Sequence, residues 1–240
     1  MQDRIISRDK EIKLITDLIR QRENIVVFGQ EGVGKTLIIQ EVINNFGADR
    51  IFYFSQSRTL KEALLSFGFR GIGKQKEFKR LNVLALKKRF YGILAQKPDC
   101  IIFDHLGRVG YRYNSFLEYL IEKDIPVIVV CRSLRVEDIG NLLLPQFIFK
   151  RVEIVSFDKH DAATLINYFI DEFALRIVDE KKFKNDIFTI SQGNPKVIKE
   201  LCLLAKDTCY GKDAGCDVKL MDLDRRIGRL NQGNEVSHFA

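Results

Sequence analysis

Residues 24–36 read NIVVFGQEGVGKT, an apolar run that leads directly into three glycines, a lysine and a threonine. The run IVVF predicts a buried strand, and the letters KTLIIQEVINNF that follow the last glycine predict a helix. The spacing G-x-x-x-x-G-K-[ST] is met by Gly29, Gly34, Lys35 and Thr36. A glycine loop between a strand and a helix is the context in which this spacing binds phosphates, so the stretch predicts a phosphate-binding loop.

Each residue type in this loop has a chemical reason to be there. Glycines allow the backbone to turn tightly and direct its N–H groups inward, and the helix that follows adds the positive end of its dipole. Lys35 can reach the β- and γ-phosphates, and the Thr36 hydroxyl can bind Mg²⁺. The predicted nucleotide-binding residues of the loop are Gly29, Gln30, Glu31, Gly32, Val33, Gly34, Lys35, Thr36 and Leu37.

Short apolar runs continue along the chain and alternate with helical patterns. The further strands are predicted at residues 51–54, 100–104, 125–131 and 152–157. Nearly continuous aliphatic strands need both faces covered, which indicates a parallel sheet between helices in an α/β core.

The strand pattern stops near residue 158, and an all-helical pattern follows. Asp158 is a good helix cap, and Pro195 suits the first turn of a later helix. The sequence therefore predicts a nucleotide-binding core over 1–157, a small helical lid subdomain over 158–230 and a flexible tail over 231–240.

The third strand ends in the letters CIIFDH, which place an acid and a histidine at the carboxyl edge of the sheet. Asp104 at this edge can hold Mg²⁺ together with Thr36. A neutral imidazole at His105 can accept a proton, but it lacks the fixed charge of an acid. Slow hydrolysis, a base supplied from elsewhere, or a capping or packing role for His105 all remain open.

Arg132 follows the fourth strand, within the letters VIVVCRS. Its guanidinium could face the γ-phosphate and respond to its presence, so Arg132 is a candidate sensor. A plain surface arginine is the alternative.

The net charge of +7 is concentrated in one segment, residues 70–89. A local basic segment favours an anionic partner, with nucleic acid first. If 76–95 is one helix, several of its cations share a face that could contact the phosphates of duplex DNA, and a solvated helix face is the alternative. The candidate DNA contacts are Lys74, Lys76, Lys79, Arg80 and Lys87.

Composition excludes several classes of protein. Apolar and charged fractions of 46% and 30% are typical of globular domains, and no apolar stretch is long enough to cross a bilayer. The charged first residues and the five cysteines without C-x-x-C spacing indicate a cytoplasmic protein.

Several motifs, in their order, resemble the AAA+ and STAND-type P-loop ATPases of the ASCE class, including archaeal-type, initiator-like and transposition-regulator ATPases. The letters IISRDKEIKLITDLI resemble the box that opens many of them, with serine where they usually have glycine. VVCR resembles the STAND sensor signature, with Val130 and Cys131 in place of threonines. SQGNPKVIKEL resembles the G-x-P motif of the helical lid, carried by Gly193 and Pro195.

The resemblance implies a five-stranded parallel sheet in the order 5-1-4-3-2, followed by a helical lid that contributes Pro195 to the nucleotide site. It implies ATP and Mg²⁺ as ligands, and adenine near Ile5 and Ile6. It also implies a homo-oligomer in which a neighbouring subunit supplies a basic finger, with Arg151 and Lys150 as the candidates. Relatives that load onto DNA can carry extra structure in the region of residues 70–89.

Three functions remain open at this stage. One is an ATPase switch, slow on its own, that oligomerises and assembles on DNA in replication, transposition or mobile-element regulation. The second is a STAND-type regulator whose nucleotide state gates a protein partner with little or no hydrolysis. The third is a module that only binds nucleotide.

Overall fold

The computed structural model describes residues 6–47, 49–67, 78–140, 142, 148–206 and 217–236. The chain divides into two compact units. The first, here called the sheet unit, comprises Met1–Glu31 and Lys35–Ile154. The second, the helical unit, comprises Gly32–Gly34 and Val155–Ala240, so that the tip of the glycine loop groups with the helices.

The sheet unit is built on five parallel strands. Their bounds are β1 Ile25–Phe28, β2 Ile51–Phe54, β3 Cys100–Phe103, β4 Val127–Cys131 and β5 Lys150–Glu153. The order β2-β3-β4-β1-β5 confirms the predicted α/β sheet and its 5-1-4-3-2 arrangement. Every residue of β3 and β4 is buried, as expected for strands covered on both faces, whereas β5 is an exposed edge strand that begins two residues before its predicted start.

Helices connect these strands. Their bounds are α1 Asp9–Arg20, α2 Lys35–Phe46, α3 Leu60–Ser66, α4 Val83–Ile93, α5 Tyr111–Glu122 and α6 Val136–Ile139, with a 3₁₀ turn at Leu94–Gln96. Within the described residues, no helix has the length and apolarity that a bilayer-spanning segment requires.

The condition for a shared basic face, one continuous helix over 76–95, is not met, because residues 80–82 are not helical and a new helix, α4, follows them. Asn82 is extended and its side chain accepts a hydrogen bond from the Ala85 amide, so it caps a new helix that begins at Val83. Asparagine is a strong helix cap because its side chain satisfies an amide that the first turn leaves unpaired. The basic residues on either side of Asn82 therefore do not share one helical face.

Aromatic side chains form the core between the sheet and α4 and α5. Phe54 stacks on Phe103 with ring centroids 4.6 Å apart, and Phe90 meets Phe116 edge to face at 5.8 Å. All four rings are fully buried. Such pairs add to the hydrophobic gain of burial, and here they hold the ends of β2 and β3 in register.

The helical unit contains α7 Lys159–Glu172, α8 Glu180–Ser191, α9 Pro195–Leu204 and α10 Val218–Val236. Asp158 caps α7 by accepting from the Asp161 amide, and Pro195 lies in the first turn of α9, both as predicted. Because α10 continues to Val236, it extends into the segment 231–240 that we predicted to be a flexible tail.

Gly193 has a structural reason to be glycine. Its φ is +73°, in the left-handed region, and a Cβ placed there would lie 1.9 Å from the Phe157 carbonyl oxygen. The Phe157 amide in turn donates to the Gly193 carbonyl at 2.9 Å. The two backbones are therefore too close for any side chain at this position.

We expect Gly193→Ala to lower the free energy of unfolding by about 3 kcal/mol or more, because the methyl group forces the Phe157 backbone away. Urea denaturation followed by circular dichroism measures this change. Gly228→Ala is the matched control in the same unit. Gly228 lies in α10 with open space around its Cα, so alanine should be neutral or stabilise by up to about 1 kcal/mol. Equal stability of the two variants would contradict the steric argument.

Candidate nucleotide site

The glycine loop lies between the end of β1 at Phe28 and the start of α2 at Lys35. Gly32 and Gly34 have φ values of +86° and +96°, which residues with a Cβ rarely adopt. A Cβ at Gly32 would also meet the Asn194 Oδ1 atom at 2.6 Å. Two of the three glycines are thus required by backbone geometry.

The Lys35 ammonium group faces its own loop. Its Nζ atom donates to the Gly29 carbonyl at 2.6 Å and to the Gln30 carbonyl at 2.8 Å. Burial lowers the pKa of Lys35 from its ordinary value of 10.5, while the nearby Asp104 charge acts to raise it. A partly desolvated ammonium group held in a glycine loop is well placed to exchange carbonyl partners for phosphate oxygens.

The strand that Arg132 follows, β4, lies in the sheet between β1, which leads into the glycine loop, and β3, which Asp104 follows. The Arg132 carbonyl accepts a hydrogen bond from the Gly29 amide at 3.2 Å. Its side chain is exposed, and its charge also lowers the pKa of Lys35, although burial is the larger cause. The predicted sensor residue therefore lies beside the loop.

Asp104 is the buried acid of the site, with only 1% of its surface exposed. Its Oδ2 atom accepts from the Tyr53 hydroxyl at 2.9 Å, and its Oδ1 atom accepts from the His105 amide at 2.8 Å. Burial, with the adjacent Asp104 charge, raises the pKa of Tyr53, so this hydroxyl stays a neutral donor. Each carboxylate oxygen retains a further lone pair for another ligand.

His105 lies in the turn that follows β3. Its φ is +53°, and its side chain is 60% exposed with Nε2 3.9 Å from Asp104 Oδ2. The next helix, α5, begins six residues later after Gly110, so His105 caps no helix there and is not a packed core residue. The capping or packing interpretation is therefore wrong, and His105 presents its imidazole to solvent beside the buried acid.

The remaining predicted nucleotide contacts differ in exposure. Val33 is buried and supports the loop, whereas Glu31 and Leu37 are exposed. Thr36 is half-buried in the first turn of α2. Pro195 belongs to the helical unit, where Asn194 caps α9 by accepting from the Lys196 and Val197 amides.

The donor set of this site fits Mg²⁺. The Thr36 hydroxyl and the Asp104 carboxylate are hard oxygen ligands, and both lie at the carboxyl edge of the parallel sheet, where α2 begins and β3 has ended. Mg²⁺ prefers one or two such protein ligands together with phosphate oxygens and water. Thr36 and Asp104 remain the residues that we expect to hold it.

The motif that precedes β1, IISRDKEIKLITDLI, contains an ion pair at the start of α1. Arg8 is only 5% exposed, and its Nη1 atom donates to Glu11 Oε1 at 2.6 Å across the first turn of α1. Ser7, which stands where the resembling families have glycine, has a φ of +55°. Glycine adopts such a left-handed backbone without strain, whereas serine does so at a cost. Ile6 is half-buried, and Ile5 lies outside the described residues.

The predicted DNA contacts are only partly visible. Lys74 and Lys76 lie outside the described residues. Lys79 and Arg80 are exposed, and they follow Phe78, which is buried against α4 with the Arg89 guanidinium 5.0 Å from its ring centroid. The Lys87 ammonium instead lies over the rings of Tyr91 and Phe116, at 5.7 and 5.4 Å, so it is only partly exposed.

The candidate finger residues lie at the start of β5. The Lys150 Nζ atom is 3.6 Å from Glu23 Oε1, and both Lys150 and Arg151 are exposed. Lys150 therefore already has a partner in its own chain, whereas Arg151 has no ion pair among the described residues. Their role toward another subunit stays a prediction.

Tyr53 is the site residue that we did not predict. Its sequence signal is weak: it is the one residue with a hydroxyl in the strand IFYF, and its partner Asp104 is 51 positions away. Only the parallel register of β2 with β3, which pairs Tyr53 with Ile102, brings the hydroxyl to the acid.

Comparison with known proteins supports the fold. No protein-family model matches the chain, and no curated protein matches its sequence. The solved structure of the Aeropyrum pernix Orc1 protein in complex with DNA is similar, with a TM-score of 0.67 and 12% sequence identity. The match covers 92% of this chain and 66% of that protein. At this identity the likeness shows a shared fold and does not by itself carry a function.

Proposed function

We propose that the chain is an AAA+-like ATPase that binds ATP with Mg²⁺ and acts as a nucleotide-dependent switch. The observation that carries this proposal is the loop from Gly29 to Thr36, in which the half-buried Lys35 ammonium group donates to the Gly29 and Gln30 carbonyls. The buried Asp104 carboxylate follows β3 at the same carboxyl edge of the sheet. ATP rather than GTP follows from the family resemblance.

Each residue would have a distinct role in phosphate chemistry. Lys35 would leave the carbonyls of Gly29 and Gln30 and bind the β- and γ-phosphates, and Arg132 would face the γ-phosphate. Mg²⁺ held by Thr36 and Asp104 would neutralise phosphate charge. Tyr53 would keep the Asp104 carboxylate oriented toward the loop.

His105 would make hydrolysis slow. A water molecule that attacks the γ-phosphate needs a group that orients it and accepts its proton. His105 stands beside Asp104 but lacks a fixed negative charge, and its side chain is largely in solvent. The switch would therefore hold ATP for long periods, and assembly would raise the rate.

Duplex DNA is the partner that the exposed Lys79 and Arg80 favour, through phosphate contacts that read no sequence. The similarity to a protein solved in complex with DNA supports this choice. Assembly into a homo-oligomer would bring Arg151 or Lys150 to a neighbour's nucleotide, in replication, transposition or mobile-element regulation.

A STAND-type regulator that gates a protein partner is the alternative. The position of Arg132 after β4 favours it, because the same sensor arginine belongs to that group's signature. The tests below separate the two proposals, since a STAND-type regulator requires nucleotide binding but no DNA binding.

We expect Lys35→Ala to weaken binding of Mg–ATP by about 10- to 100-fold or more, because the loop loses its charged hydrogen-bond donor. Isothermal titration calorimetry with ATP and with GTP measures this effect and the base preference together. Lys13→Ala, at an exposed position of α1, is the control and should bind as the unmodified chain does. Unchanged affinity in Lys35→Ala would refute the assignment of the loop.

We expect His105→Glu to raise ATP turnover several-fold, up to about 10²-fold, because a carboxylate orients water and accepts its proton better than an exposed imidazole. Steady-state phosphate release, with and without DNA, measures the rate. His105→Gln is the matched control. Glutamine is as long as glutamate and would occupy the same unfavourable left-handed backbone position, but its side chain carries no charge. Equal rates in the two variants would show that His105 does not limit hydrolysis.

We expect the double change Lys79→Glu and Arg80→Glu to weaken duplex DNA binding at least about tenfold. It should also make the slope of log K against log salt concentration shallower, by an amount equivalent to about two phosphate contacts. Fluorescence anisotropy over a range of salt concentrations measures both quantities, and ATP affinity should stay the same. The double change Lys181→Glu and Lys182→Glu reverses two exposed charges in the helical unit and is the control. Equal losses in both double variants would point to net charge rather than to a contact surface.

A further inference from the structure

Three loops lie side by side at the carboxyl edge of the sheet. They follow β2, β3 and β4, which are neighbours in the sheet, and comprise residues 55–59, residues 105–112 with the first two residues of α5, and residues 132–140 with the short helix α6. We refer to them as the sheet-edge loops. Apart from His105 and Arg132, their residues have no role in the proposed nucleotide chemistry.

Backbone contacts hold the sheet-edge loops together. The Gly107 amide lies 3.5 Å from the Ser57 carbonyl, and a Cβ at Gly107 would be 3.0 Å from the Arg58 Cα atom. The Val109 amide donates to the Ile139 carbonyl at 2.9 Å, and Val109 also forms a bridge to Gly140. The loops therefore form one continuous surface rather than three independent segments.

This surface is rich in arginine. Each loop carries at least one exposed guanidinium group, and none of these groups has an ion pair among the residues that the structure describes. The arginines are Arg58, Arg108, Arg112, Arg132 and Arg135. The same loops contain two acids besides the site: Glu137, which is exposed, and Asp138, which accepts from the Ser133 hydroxyl at 2.5 Å. The excess of unpaired positive charge favours a partner with several negative charges.

Tyr111 adds an aromatic ring to this surface. It is 86% exposed, whereas Leu106, Val109 and Tyr113 in the same segment are all buried and anchor it to the core. Single exposed apolar residues are common on protein surfaces. An exposed ring with an exposed arginine three residues before it, Arg108, and another directly after it, Arg112, is a more specific arrangement, because it combines a stacking face with phosphate ligands in one short segment.

We propose that the sheet-edge loops bind single-stranded nucleic acid, with a base stacked on Tyr111 and the flanking phosphates held by Arg108, Arg112 and Arg58. A duplex presents phosphates but keeps the faces of its bases stacked inside, so a solvent-exposed tyrosine favours an unpaired strand. The proposal is independent of nucleotide binding and of the duplex contact at Lys79 and Arg80.

The test is fluorescence anisotropy with labelled single strands of about 20 nucleotides, oligothymidine and oligouridine, and with a duplex of equal length. Comparison of oligothymidine with oligouridine shows whether the bound strand is DNA or RNA. We expect Tyr111→Ala to weaken single-strand binding by about tenfold and Tyr111→Phe to bind within about twofold of the unmodified chain, because base stacking needs the ring and not the hydroxyl. Duplex binding should change little in either variant.

The arginines are tested in the same assay. The double change Arg108→Ala and Arg112→Ala should weaken single-strand binding and reduce its salt dependence, whereas Arg176→Ala, at an exposed arginine of the helical unit, should not. Unchanged single-strand affinity in Tyr111→Ala would overturn the proposal, as would equal weakening of the single strand and the duplex. Lys35→Ala separates the two hypotheses: it weakens nucleotide binding if the nucleotide site is correct, and it leaves strand binding in the absence of ATP unaffected.

Discussion

The parallel pairing of β1 with its neighbours is the constraint on which the candidate site depends. Phe28 pairs with Cys131 on one side and Glu153 on the other, so the strands that carry the glycine loop and Arg132 end at the same level. The Gly29 amide then donates to the Arg132 carbonyl, which fixes where the loop leaves the sheet. Because β4 separates β1 from β3, the same pairing sets the place of Asp104 relative to Lys35. A slip by one residue would turn each side chain to the opposite face of the sheet and disturb the packing of both helical layers, so close packing on the two faces protects the geometry of the site.

The electrostatics of the site follow from this arrangement. Burial makes the charge on Lys35 costly, and the nearby Asp104 carboxylate offsets part of that cost. Asp104 is stabilised in turn by donors from Tyr53 and from the His105 amide. The left-handed backbone at His105 allows its amide to reach the carboxylate while the imidazole stays in solvent. The turn at His105 thus orients the Asp104 carboxylate and leaves the His105 imidazole largely exposed to solvent.

Local patterns in the sequence were sufficient to predict the helices, the strands and the glycine loop, but not the contacts between them. The glycine loop, the apolar strands, the Asp158 cap and the first-turn Pro195 are each encoded within a few residues, and each was predicted. The break at Asn82 was missed because the apolar spacing of the segment suits a helix, and the asparagine's capping role competes with that pattern. The Tyr53–Asp104 bond and the arginine-rich surface of the sheet-edge loops could not be predicted, because both depend on which strands become neighbours. The strand order itself came from family resemblance and not from the residues alone.

The close approach of Gly193 to Phe157 changes how distant homologues should be interpreted. Any side chain at this position collides with main-chain atoms, so selection there acts on foldability and would continue after activity was lost. A homologue that bound no ligand at all would still need its equivalent of Gly193 in order to bring these two backbones together. Retention of this glycine in a divergent sequence would therefore report a shared fold and not a shared activity.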